Sequence, residues 1–143
     1  MSAAAPKHII STELVPLMRR LTRAYNEAMA VFKLKPVEAH ILAELKSSGP
    51  MTVGRLGAGL GLSGSTLTSA IDRLEDRELL RRELAKADRR SILLTAVAWT
   101  PKKEAQFRAV FGEVEDRFFG ALSKRERAQL HALLKKLNGE TGS

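Results

Sequence analysis

A mainly α-helical fold with one small β hairpin is predicted by three observations. Apolar residues recur at three- and four-residue spacing along most of the 143-residue chain, and two short stretches, 79–84 and 91–95, read as strands around a charged segment. Hydrophobic residues make up 44% of the sequence but Phe, Trp and Tyr only 5%, which favours aliphatic helix packing over an aromatic-rich β structure. Ser, Thr, Gly and Pro fall where helices would start and stop. The length is enough to bury one core and leaves no room for a second domain of ordinary size.

Residues 1–10 read as a loose arm, with Lys7 and His8 available for partner contacts. Ser11 or Thr12 is expected to cap the first helix, placing Glu13 and Pro16 at its start, where a missing amide proton matters least. Leu14, Leu17, Met18, Leu21, Tyr25, Ala28, Met29 and Phe32 then form one stripe over about five turns. Pro36 suits the first position of a second helix that buries Val37, Ile41, Leu42 and Leu45, and Ser47-Ser48-Gly49-Pro50 ends it. His40 lies on its less apolar side with Glu44 one turn later. His8 and His131 have no local ligand spacing, so His40 is read as a surface or pocket residue rather than a metal ligand.

Thr52 caps a short helix bearing Val53, Leu56 and Leu60. Gly61 supplies the positive φ at its end, and Leu62 plugs the turn. Ser63 is expected to cap the next helix, whose apolar stripe is Leu67, Ala70, Ile71 and Leu74. Its opposite face carries Ser65, Thr66, Thr68 and Ser69, with Arg73 one turn on. Small hydroxyls permit close approach to another polar surface, and a DNA major groove is such a surface. Further along, Thr100 and Pro101 open a helix with Ala105, Phe107, Val110, Phe111, Val114, Phe118 and Phe119. Ser123 and Glu126 form a capping box for a last helix with Leu130, Leu133, Leu134 and Leu137, stopped by Asn138-Gly139.

Two short helices joined by a tight glycine turn, the second with an open polar face, make the helix-turn-helix pattern. The hairpin behind them is basic: Arg81, Arg82, Lys86, Arg89 and Arg90 stand against Glu83 and Asp88. A polar helix followed by a basic hairpin predicts a winged helix, with the hairpin along phosphates or in the minor groove. There Asp88 would hold the guanidinium of Arg90, or of Arg89, while the other arginine meets phosphate. Lys plus Arg total 24 against 16 Asp plus Glu, a net charge of +8 that favours a polyanionic partner. The candidate DNA-binding residues are Ser63, Ser65, Thr66, Thr68, Ser69, Arg73, Lys86, Asp88, Arg89 and Arg90.

The run Leu62-Ser63, Ser65-Thr66, Asp72-Arg73-Leu74-Glu75, Leu79-Leu80, then Asp88-Arg89-Arg90 and Leu94-Thr95, resembles the MarR family of winged-helix transcriptional regulators. Leu122-Ser123-Lys124-Arg125-Glu126-Arg127 and the leucines after it extend the resemblance over nearly the whole chain. It implies a homodimer reading a pseudo-palindromic double-stranded operator, most often a repressor relieved by a small-molecule effector. On this reading 1–143 is a single winged-helix domain, with 1–34 and 100–143 as dimerisation helices and 36–97 as the DNA-binding lobe. Tyr25, His40 and Trp99 are the candidate effector-pocket residues.

Three departures from the family's pattern stand out. Glu78 sits where relatives often have Gly after the recognition helix. Gly64 and Ser69-Ala70 replace larger polar or basic groups, leaving Arg73 the only long basic side chain on that helix. Ala96-Val97-Ala98-Trp99 replaces a short polar turn and places the single tryptophan either in the core or on the effector pocket. The absence of cysteine excludes disulfides and a thiol-oxidation switch. No catalytic constellation, Gly-rich phosphate loop or metal cluster is visible, so neither an enzyme nor a cofactor is expected. With no signal-peptide core and no membrane span, a cytoplasmic location is expected. The rival reading is a winged helix used for protein interaction, its basic charge serving an acidic partner.

Overall fold

Residues 7, 9–86 and 90–139 are described by the structure, a computed structural model of the chain. α1 (Ile10–Met29) opens it and continues into a 3-10 turn, Ala30–Phe32. α2 (Pro36–Ser48), β1 (Met51–Thr52), α3 (Val53–Leu60) and α4 (Gly64–Asp76) follow. β2 (Leu80–Leu84) and β3 (Ile92–Ala96) form the expected hairpin, and α5 (Pro101–Phe119) and α6 (Lys124–Leu137) complete the chain. The sheet has one strand more than the sequence suggests. Its order is β1-β3-β2, antiparallel throughout, with Met51 opposite Leu94 and Leu80 opposite Ala96. A two-residue strand is too short to display an alternating pattern.

The start of α1 differs from expectation. The helix begins at Ile10, and Ile9 rather than Ser11 or Thr12 occupies the N-cap. The Thr12 hydroxyl and amide both donate to the Ile9 carbonyl, closing the first turn earlier. Pro16 therefore falls in the second turn, where its missing N–H leaves the Thr12 carbonyl without its usual partner. Ser63 does occupy the N-cap of α4, but its side chain makes no capping hydrogen bond; the next residue, Gly64, has φ +59 and redirects the chain at the helix start. Other caps are as read: the Thr52 and Thr100 hydroxyls accept from the Arg55 and Lys103 amides at 3.2 and 3.3 Å, and Ser123 and Glu126 form a reciprocal box.

Three turns share one device. After α3 the Leu62 amide donates back to the Gly57 carbonyl at 2.8 Å, with Gly61 at φ +65 between. The same closure follows the 3-10 turn, Leu34 to Met29, with Lys33 at φ +55, and follows α4, Leu79 to Leu74, with Glu78 at φ +59. These are Schellman motifs, and two of the three place a side-chain-bearing residue in the left-handed region.

The core joins Tyr25 and Met29 of α1 to Ile41, Leu42 and Leu45 of α2, Leu56 of α3, the Leu67, Ala70, Ile71 and Leu74 stripe of α4, Leu80 and Leu94 of the sheet, and Phe107 and Val114 of α5. α1 contributes only its C-terminal half. Ile10 and Met18 remain 77% and 50% exposed, and α6 buries no side chain.

Candidate nucleic-acid interface

α4 buries its apolar stripe against the rest of the fold and leaves Ser65, Thr66, Thr68 and Ser69 exposed. At 3.6 residues per turn, Ser65 and Ser69 centre the open face, with Thr66 and Arg73 on one flank and Thr68 and Asp72 on the other. Each flank is tied down. Arg73 Nε donates to Glu38 Oε2 at 2.8 Å, linking α4 to the first turn of α2. On the other side Arg82 of β2 donates to Asp72 Oδ1 at 2.7 Å and to Glu75 Oε1 at 3.1 Å, linking α4 to the wing. Beyond the C-terminus of α4, Arg77 donates to the carbonyls of Lys33 and Phe32 at 2.6 and 3.1 Å, fastening the helix end to the turn after α1.

The sequence reading included Arg73 but missed what holds it. Glu38 lies at the third position of a helix opened by Pro36, a capping-box signal, and its Oε1 accepts the Lys35 amide at 2.9 Å. Arg82 counts as a wing charge in the sequence, yet the structure commits it to two carboxylates of α4. Asp72, Glu75 and Asp76 make the C-terminal turns of α4 acidic, so the surface that suits a polyanion is its N-terminal half together with the exposed edge of Arg73. On the wing, Lys86 and Arg90 are exposed. Asp88 and Arg89 lie outside the described residues. Leu84 and Ile92, opposite one another at the outer end of the ribbon, are 63% and 46% exposed.

The three effector-pocket candidates do not share one pocket. Tyr25 and His40 line a cavity of about 300 Å³ with Met18, Leu21 and Leu62. His40, read from the sequence as a surface or pocket residue, is half-buried on the pocket side: its ring packs edge-on against Tyr25 and Phe111, with Nδ1 2.8 Å from the Pro36 carbonyl. Burial, with a hydrogen bond to Glu115 at 2.8 Å, pushes the Tyr25 hydroxyl far above the usual tyrosine range. Trp99 stacks on Phe32 at 5.9 Å with Lys46 Nζ 4.1 Å from its ring centre, and its Nε1 is buried without a partner among the described residues.

A larger cleft, about 660 Å³, opens between α2, β3 and α5, lined by Ala43, Lys46, Ala96, Glu104, Phe107 and Arg108 among others. Glu104 accepts from Lys46 Nζ at 2.6 Å and from the Trp99 amide at 3.0 Å. Burial raises its pKa, but these hydrogen bonds outweigh that and hold the carboxyl below its ordinary value. Among the described residues no three His, Asp or Glu side chains group to hold a metal, and no helix is long and apolar enough to cross a membrane.

An open small-hydroxyl helix behind a tight turn, with a basic ribbon beside it, defines a winged helix-turn-helix protein. The MarR family model matches residues 32–91. Over 106 residues the chain is 31% identical to the uncharacterized HTH-type transcriptional regulator YcgE of Bacillus subtilis, covering 71% of this chain and 69% of that one. The chain belongs to the MarR family, whose members are DNA-binding transcriptional regulators. Solved structures of other proteins share its fold. NadR in complex with 4-hydroxyphenylacetate matches with a TM-score of 0.78 at 20% identity, covering 96% of this chain and 98% of that one. The Staphylococcus aureus MepR-DNA complex matches at 0.73 and 20% identity, covering 94% and 99%.

Proposed function

We propose that this chain is a homodimeric, operator-specific repressor whose DNA binding is relieved by a small-molecule effector. The observation that carries the reading is the exposed N-terminal half of α4, small and hydroxylated, beside a ribbon bearing Lys86 and Arg90. In this reading residues 36–97 form the DNA-binding lobe, and 1–34 with 100–143 form the dimer. Ser63, Ser65, Thr66, Thr68, Ser69 and Arg73 face the major groove, while Lys86, Asp88, Arg89 and Arg90 serve the wing at phosphates and the minor groove. Two heads related by a two-fold axis would read half-sites roughly 34–36 Å apart. MepR bound to DNA and NadR bound to 4-hydroxyphenylacetate, both of this fold, support a DNA surface and an effector site in one molecule.

The 660 Å³ cleft is the effector site in this reading, because it lies between an element of the lobe, α2, and one of the dimer helices, α5. Its aromatic and aliphatic walls with Arg108 at the margin suit a small aromatic anion. Such a ligand weakens DNA binding only if it prefers the head spacing that does not fit the operator. The experiment is selection of bound sequences from random duplex DNA, followed by titration of the enriched site at two salt concentrations with wild type and an Arg89→Ala/Arg90→Ala double mutant. An enriched pseudo-palindrome, a steep salt slope and a mutant loss of about 1–3 kcal/mol or more support the reading. No enriched motif, with weak binding indifferent to the mutations, rejects it and favours an acidic protein partner.

A further inference from the structure

Glu38 is the one charged side chain buried among the described residues, at 3% exposure. A carboxylate taken out of water is costly unless its oxygens are hydrogen-bonded. Both are: Oε1 accepts the Lys35 amide at 2.9 Å and Oε2 accepts Arg73 Nε at 2.8 Å. Capping does not by itself require such burial. Glu126 performs the same capping role at the start of α6 while fully exposed, through one oxygen on the Ser123 amide. What distinguishes Glu38 is the second oxygen, which is committed to the recognition helix.

Arg73 is the partner that remains in contact with solvent, its side chain 43% exposed against 4% for that of Glu38. A guanidinium is planar, so anchoring Nε on a fixed carboxylate restrains the plane and leaves the outer edge, formed by the two terminal nitrogens, uncommitted to the anchor. That outer edge is the one with which an arginine takes guanine O6 and N7 together. Without the anchor, a side chain of this length would sample many rotamers, and a base contact would have to oppose that entropy.

We propose that Glu38 is a positioning residue for DNA reading: it presents Arg73 to a base edge and thereby sets sequence discrimination without touching DNA. The inference rests on the reading that α4 enters the major groove. A brace that merely holds α2 to α4 would change stability and leave discrimination alone.

The test measures binding of the selected operator and of a scrambled duplex by fluorescence anisotropy, for wild type, Glu38→Ala, Glu38→Gln, Arg73→Ala and the Glu38→Ala/Arg73→Ala double mutant. Far-UV circular dichroism and urea unfolding establish that each variant is folded under the binding conditions. Arg73→Ala should lower the operator-to-scrambled affinity ratio about tenfold. Glu38→Ala should do the same with scrambled binding little changed, and the double mutant should fall no further. Glu38→Gln keeps the volume and one carbonyl for the Lys35 amide, so it decides the matter should the alanine variant not fold; its ratio should fall as well. Normal ratios in the folded Glu38 variants, or additive losses in the double mutant, with Arg73→Ala impaired, overturn the positioning role alone. A normal ratio in Arg73→Ala overturns the groove contact beneath it, and the positioning role with it.

Discussion

Glu78 holds φ +59 at the C-terminal turn of α4, where its amide and that of Leu79 close the Schellman motif at 2.9 Å each. A side chain in the left-handed region costs about 1–2 kcal/mol, and glycine returns part of that as unfolded-state entropy. Glu78→Gly should therefore stabilise the protein by about 0.5–1 kcal/mol in urea unfolding, and a loss of stability would show that the Glu78 side chain makes a compensating contact. Tyr25 gives a second expectation. Its pKa is raised in the folded state, so above the ordinary tyrosine value near 10 the unfolded chain ionises while the folded one keeps its proton. Stability is complete below that pH and falls above it, by about 1.4 kcal/mol per unit from this group. Tyr25→Phe should flatten the alkaline limb of a stability-versus-pH curve; an unchanged limb refutes the assignment. Single residues were legible where backbone chemistry decides them. Gly61 as a positive-φ stop follows from residue type, whereas Glu78 as a misfit at the next such stop was legible only through the resemblance, which implies a glycine there. Glu38 was not, because a buried carboxylate differs from a solvated one only through its partner, which lies 35 positions away in sequence.

At the level of elements, periodicity located every helix, since each stripe repeats within its own segment, although the expected cap misplaced the start of α1 and its stripe ran past Met29 into the 3-10 turn. The pairings between segments were hidden. Arg82 reads as a free wing charge, but the fold turns it inward, on the same strand face as buried Leu80, and onto Asp72 and Glu75 of α4. These pairs are 34–52% exposed, so they contribute little to stability, on the order of 1 kcal/mol or less. Their consequence is electrostatic: Arg82 offsets two carboxylates on the helix that approaches a polyanion, and ties the wing to that helix. Arg82→Ala should leave the urea midpoint nearly unchanged while weakening operator and scrambled DNA alike, about tenfold at low salt and less at high salt. This differs from the Glu38 variants, in which the ratio of the two affinities changes. Equal binding by Arg82→Ala and wild type at low salt would falsify this account of the wing.

For the whole molecule the informative fact is how much apolar surface the chain leaves open. α6 runs 14 residues without burying a side chain, and Leu133 and Leu137 are 58% and 77% exposed. Isolated helices of that length are marginal in water, so tertiary cover must supply their stability. At the other end of the chain, the first turns of α1 expose Ile10, Leu14, Val15 and Met18. The two terminal helices thus present the kind of unpartnered apolar faces that a symmetric pair of chains would bury against each other. A single charge in such a face opposes association without disturbing the core of its own chain, because neither Met18 nor Leu133 belongs to that core. Met18→Glu and Leu133→Glu should each sediment as a monomer at concentrations where wild type is dimeric. The core around α2 to α5 should still unfold cooperatively, whereas the helical signal should drop by about the share of α6 and the start of α1. Operator affinity should fall far more than affinity for a single half-site, since a monomer retains one reading head and loses the second. Dimeric sedimentation of both variants would move the interface elsewhere; monomeric variants that bind the full operator like wild type would remove the two-headed reading itself.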